Sequence, residues 1–126
     1  MQSELLSKNA SADARVFVIW FRMYPGDEES RWPGEIFNDR RVVQVWDEPA
    51  AAGRWFMTHL NDLRPSRGGD GRFPQRVDAL WDSYLLFDRD ATWNMVPNGI
   101  LSWGYTVMRT RDQLMKNFQF AIRASR

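Results

Sequence analysis

Apolar residues along the chain gather into a few dense runs separated by polar stretches. Residues 16–21 read Val-Phe-Val-Ile-Trp-Phe, a β-branched and aromatic run that suits a strand covered on both faces better than one alternating between core and water. This run is predicted to form the centre of a sheet. Tyr24, Pro25 and Gly26 break it, and Asp27, Glu28 and Glu29 place negative charge where a following helix presents its positive end. A helix is predicted over residues 28–32, interrupted by Pro33-Gly34, with either two short turns or a restart at Glu35, Ile36 and Phe37. The second strand is residues 41–46, where Val42, Val43, Val45 and Trp46 repeat the buried-strand composition. Asp47 is a good N-cap and Pro49 fits a first helical turn, so a helix is predicted over residues 50–60, with Ala51 and Trp55 at helical spacing and Met57 or His59 on the next turn.

A third strand is predicted over residues 80–87, with Tyr84, Leu85, Leu86 and Phe87 as its core, and Asp88-Arg89-Asp90 turns the chain. A returning strand begins around residues 91–93, residues 94–99 loop through Pro97-Asn98-Gly99, and β character resumes over residues 100–105, where Gly104 marks a bulge or a strand end. Thr110 and Gln113 have capping-box spacing, and Leu114, Phe118 and Ile122 repeat every four residues beside Met115 and Ala121. That pattern predicts a C-terminal helix.

Two segments stand outside the periodic pattern. Residues 1–13 hold an isolated Leu5-Leu6 pair among polar residues and are expected to form a flexible tail, with at most a short helix around residues 3–8. Residues 61–76 contain four Arg, three Gly, two Pro and two Asp, too little apolar surface to offset the entropy of ordering them. They are expected to form a mobile loop inserted in one domain that spans residues 14–126.

Composition narrows the chemistry. The 126 residues are 44% hydrophobic and 26% charged, the profile of a single soluble globular domain. With no cysteine, thiol nucleophiles, disulfide exchange, iron-sulfur clusters and thiolate zinc sites are all excluded. One histidine, His59, leaves little other metal chemistry, and no cofactor is expected. The net charge of +1 creates no field to recruit nucleic acid or an anionic membrane from a distance. The longest apolar stretch has six residues against the ~20 needed to span a bilayer, and the N-terminal residues lack the apolar centre of a secretory signal, so no membrane partner and a cytoplasmic location are expected.

The predicted order is strand, helix, strand, helix, strand, strand, helix. A parallel unit with a crossover helix, followed by a hairpin backed by a terminal helix, is the order of the thioredoxin fold. Tyr84-Leu85-Leu86-Phe87-Asp88 resembles the third strand of that fold entering its turn, Thr110-Arg111-Asp112-Gln113-Leu114 resembles the start of its last helix, and residues 16–21 resemble its first strand. The resemblance spans most of residues 14–124 and implies an α/β domain of the thioredoxin-like superfamily, with a central mixed sheet of about four strands and helices on both faces (βαβαββα). The redox site of that family is missing. Met23-Tyr24-Pro25-Gly26-Asp27-Glu28-Glu29 stands where the family carries Cys-x-x-Cys, and Leu80-Trp81-Asp82-Ser83 has no proline where the family has its cis-proline. The resemblance therefore transfers no catalytic residue.

Several constellations carry candidate chemistry. Asp27, Glu28 and Glu29 have the composition of a general acid or base, or of a divalent-ion site completed by Asp82, but such carboxylates are more simply favourable charge at a helix N-terminus. Two Trp-Asp pairs, Trp46-Asp47 and Trp81-Asp82, lie in the thioredoxin-like arrangement at one sheet edge near Tyr24 and Asp27. This rim is suited to a cationic or ring-bearing small molecule, set against the simpler role of Asp47 as a helix cap with Trp46 packed beneath it. The arginine-rich stretch over residues 64–72 matches no phosphate-binding fingerprint and reads as a solvated loop. His59 and Asp62 lack any nucleophile elbow to serve.

Seven Trp, eight Phe and three Tyr exceed what a core of this size needs. If Trp32, Trp55, Trp93 and Trp103 do not all fit inside, a protein partner or a second copy of the chain is the simplest cover. The expectation is a redox-inactive thioredoxin-like domain that binds protein or self-associates. The alternative is a small-molecule binder or non-redox enzyme using Tyr24, Asp27, Trp46, Asp47, Trp81 and Asp82.

Overall fold

A computed structural model describes residues 2–31, 34, 36–70 and 78–125. The dense apolar runs form strands β1 (Val16–Trp20), β2 (Val42–Trp46), β4 (Ser83–Phe87) and β5 (Ile100–Tyr105), with a two-residue strand β3 (Gly69–Asp70) preceding β4 in the chain. Helices α1 (Ala51–His59) and α2 (Arg111–Ala124) fall where helical spacing predicts them. Short helical turns occupy Gln2–Leu6, Ser7–Asn9, Glu29–Arg31 and Leu60–Asp62.

The strands divide into two sheets. β1 pairs with β2 in parallel, from Val16 opposite Val42 to Trp20 opposite Trp46. The second sheet has the order β3-β5-β4, with β4 antiparallel and β3 parallel to β5. This overturns the thioredoxin-like architecture: there is no central mixed sheet of about four strands with helices on both faces. One cause lies between β1 and β2, where the single described helical turn is Glu29–Arg31. Prolines and glycines at 25–26 and 33–34 leave too short a stretch to repay helix nucleation. No crossover helix forms there among the described residues. Trp32, Pro33 and Glu35, which the expected helix and its restart include, lie outside the described residues, and Ile36 and Phe37 are not helical.

The two sheets meet by packing rather than by hydrogen bonding. The core consists of Leu5, Leu6, Tyr84, Leu114 and Phe118, with Val16, Val42, Leu86, Met115 and Ile122 packed around it. Leu114, Phe118 and Ile122 come from the four-residue repeat that marked α2. Leu5 and Leu6 come from the segment expected to be a flexible tail. That segment is held in place by Arg41, whose guanidinium donates to the carbonyls of Leu6 (2.9 Å), Asn9 (2.8 Å) and Ala12 (3.3 Å). The same guanidinium grips Asp39 through Nε (3.0 Å) and Nη2 (2.7 Å).

The Asp39 carboxylate is pulled from its ordinary value of 3.8 down to about 2, first by the Arg41 side chain and then by the Arg41 backbone N–H. A depressed carboxylate contributes stability above its unfolded pKa and loses it as pH falls through the folded one. The expected result is that wild type is more stable than Asp39→Asn above about pH 4, and that the difference shrinks as pH falls toward 2. Denaturant titrations at stepped pH check this, and a pH-independent difference would refute it.

The loop over residues 61–76 is tied down in its described part. Ser66 and Arg67 donate backbone N–H bonds to Ile100 (3.1 Å) and Leu101 (2.8 Å), after which β3 joins the edge of β5. Its residues 71–76 lie outside the described residues. The capping box does not form: Thr110 makes no side-chain cap bond, and its hydroxyl donates instead to the Thr106 carbonyl at 2.7 Å. The irregularity of the second sheet falls at Leu86/Phe87, and Gly104 stands one residue from the end of β5, so of the two alternatives the strand end holds and the bulge does not.

Candidate binding surface

Tyr24, Asp27, Trp46 and Asp47 lie at the C-terminal end of the parallel pair. The Asp27 carboxylate accepts from the backbone amides of Met23 (3.0 Å) and Tyr24 (2.9 Å), closing the turn after β1. Those two bonds, the Tyr24 amide first, hold the Asp27 carboxyl below its ordinary range. That direction is opposite to what a general acid at neutral pH requires. Arg22 links this turn to the end of β2, donating to the Asp27 carbonyl (3.0 Å) and pairing with Glu48 (2.7 Å), which also accepts from the Trp46 indole. Asp47 accepts from the Ala52 amide at 2.8 Å and so satisfies a donor in the first turn of α1.

Trp81 and Asp82 belong to the approach to β4 in the other sheet. The Trp81 ring meets Tyr105 edge-on at 5.8 Å. Among the described residues, no hydrogen bond, ion pair or ring contact joins Trp81 or Asp82 to the other four, and no group of three His, Asp or Glu side chains is placed to hold a metal ion. No helix among them is long and apolar enough to cross a membrane.

Sequence reasoning missed a different surface. Side chains opposite each other in a parallel pair point to the same face, so the pairs Phe17/Val43 and Ile19/Val45 form one patch. These residues are 63%, 39%, 42% and 45% exposed, respectively. The alternate residues, Val16, Val18, Trp20, Val42, Gln44 and Trp46, are half-buried on the inner face. The run predicted to be covered on both faces is covered on only one. A signal for this was present: the stretch between the two strands contains no periodic apolar face to supply the missing cover.

A second aromatic group lies on α1. Trp55 stacks on His59 (ring centroids 4.0 Å apart) and packs against Phe56 (5.2 Å) and Trp93 (4.7 Å). His59 Nδ1 lies 2.8 Å from the Trp55 carbonyl, so this imidazole is engaged with the helix rather than with Asp62. No family model, curated protein or solved structure matches this chain. Trp93 is mostly exposed, and Trp20, Trp46, Trp55, Trp81 and Trp103 are only half-buried. Trp32 lies outside the described residues. The aromatic surplus of the sequence therefore sits largely at or near the surface.

Proposed function

We infer that this protein acts by binding, and that the outer face of β1-β2 docks on the same face of a second copy of the chain. The observation that carries this reading is the exposed Phe17, Ile19, Val43 and Val45 patch. Parallel sheets are ordinarily covered on both faces. The patch contains no charged side chain, so it is complementary to itself, as a two-fold interface requires. Face-to-face sheet packing would bury all four side chains of each copy.

Thiol-disulfide exchange is no part of the activity, because the chain has no cysteine.

Sedimentation equilibrium across the micromolar range tests the inference. Wild type should have twice the 14.9 kDa mass of one chain. Ile19→Glu and Val45→Lys should each weaken the pair by on the order of a hundredfold, because an unpaired charge in an apolar contact costs about 3 kcal/mol or more. Circular dichroism should show both variants folded. A wild-type monomer would leave the face to a different protein and overturn the inference, as would variants that associate normally.

A further inference from the structure

The outward stripe of α2 lies against Arg67. Lys116, Gln119, Phe120, Arg123 and Ala124 follow helical spacing along one face and, with Arg67, line an open surface groove of about 480 Å³. Among the described residues, three of the six that line it are cations and none is acidic. Among the described residues, none of the three cations takes part in an ion pair.

Arg67 is held ready. Its backbone N–H is fixed to the Leu101 carbonyl at 2.8 Å, its Nε donates to Asn117 Oδ1 at 2.8 Å, and its guanidinium carbon lies 3.9 Å above the centre of the Phe120 ring. Nη1 and Nη2 carry no hydrogen bond among the described residues, which leaves the donor fork free. Asn117 is buried and its Nδ2 has no partner. A buried donor left unpaired is costly, and here the amide's orientation is set by the bond that positions Arg67. A simpler account, cations favoured near a helix C-terminus, covers Arg123. It does not cover Lys116 in mid-helix or Arg67, which comes from a separate segment.

We propose that this cleft is a binding site for a phosphoryl group carried by a small molecule, with Arg67 as the bidentate ligand and Lys116 and Arg123 as supporting charges. A planar guanidinium fork matches two phosphoryl oxygens, and two further cations balance a dianion. Phe120, 45% exposed, supplies an apolar rim for the body of the ligand, and a nucleotide is the class that offers both parts. The overall charge of +1 conceals the site, because the excess of cations is local.

Calorimetric titration of the full chain with inorganic phosphate, AMP and adenosine at fixed ionic strength tests the proposal. Phosphate and AMP should bind and adenosine should not. Arg67→Gln and Lys116→Gln should each weaken AMP binding about tenfold or more, the loss expected for one charged hydrogen-bonding partner. Arg54→Gln, an exposed arginine on α1 that does not line the cleft, should bind as wild type. Tighter binding of AMP than of phosphate supports the site and assigns the ring to the Phe120 rim, whereas equal binding supports a site for the phosphoryl group alone. Failure of both phosphate and AMP to bind, equal binding of adenosine, or an equal loss in Arg54→Gln overturns the proposal. Lys116 is exposed on its helix, so its variant keeps the test valid even if Arg67→Gln fails to fold. The cleft is separate from the β1-β2 face, and a monomeric wild type would leave this outcome untouched.

Discussion

Leu6→Ala should lower stability by about 2–5 kcal/mol, the range for truncating a buried leucine to alanine, and lower the melting temperature by on the order of 10 °C. Leu6 is 1% exposed and lies in the core with Tyr84, Leu114 and Phe118. The lost methyl groups leave a space bounded by rigid elements, β4 on one side and α2 on the other, so little of it can close. Deleting residues 2–13 should be more damaging. It removes Leu5 and Leu6 together, strips Arg41 of the three carbonyls it binds, and opens the core side chains Tyr84, Leu114 and Phe118 to water. A loose tail would be removable without loss. Thermal unfolding of the two variants therefore separates a structural N-terminal segment from an accessory one, and wild-type melting temperatures would refute the packing described above.

Gly104→Ala is the second large effect. A Cβ at this position would fall 2.3 Å from Thr110 Oγ1 and 2.4 Å from the Tyr84 ring. Neither neighbour can retreat easily, since Tyr84 is in the core and Thr110 is buried with its hydroxyl bonded to Thr106. The substitution must open the contact between β5 and the start of α2, and a cost of about 3 kcal/mol is expected, at the upper end for overpacking. Gly34→Ala is the matched control, because among the described residues a Cβ there meets nothing within 4 Å. Equilibrium denaturation of both variants should show a large loss for the first and almost none for the second. Equal losses would mean that the effect is generic to glycine replacement rather than to this contact.

Much of the local structure was legible in the chain. The runs containing Val16 and Val42 became strands, residues 100–105 became β5 as predicted, and Leu114, Phe118 and Ile122 form the buried or half-buried side of α2. Each is a property of a few neighbouring residues, set by side-chain periodicity and β-branching. Asp47 does satisfy the Ala52 amide, but it stands before the helix: α1 begins at Ala51 and its N-cap residue is Ala50, not Asp47. The capping box was misleading because Thr110 has a nearer acceptor in Thr106, a competition that residue spacing does not reveal.

The sites were less legible. Tyr24, Asp27, Trp46 and Asp47 gather at one end of β1-β2 because the turn and the strand are sequence neighbours of that end and Arg22 bridges them to Glu48. Trp81 and Asp82 were grouped with them only through an assumed single sheet, and with two sheets that grouping has no contact to support it. Arg67 and Asn117 are 50 residues apart, and no local pattern joins them.

By itself, then, the sequence determined the four longer strands, the two main helices and the exclusion of thiol chemistry, because short-range sterics, periodicity and the identity of side chains suffice for those; β3 and the absence of a strand at residues 91–93 were not legible. The tertiary structure decided which strands share a sheet, that Leu5 and Leu6 complete the core, that one face of β1-β2 is left bare, and that Arg67 lines one groove with Lys116 and Arg123. These depend on packing between segments distant in the chain, where burial of apolar surface and the satisfaction of buried polar groups choose among arrangements that local preferences leave equally open.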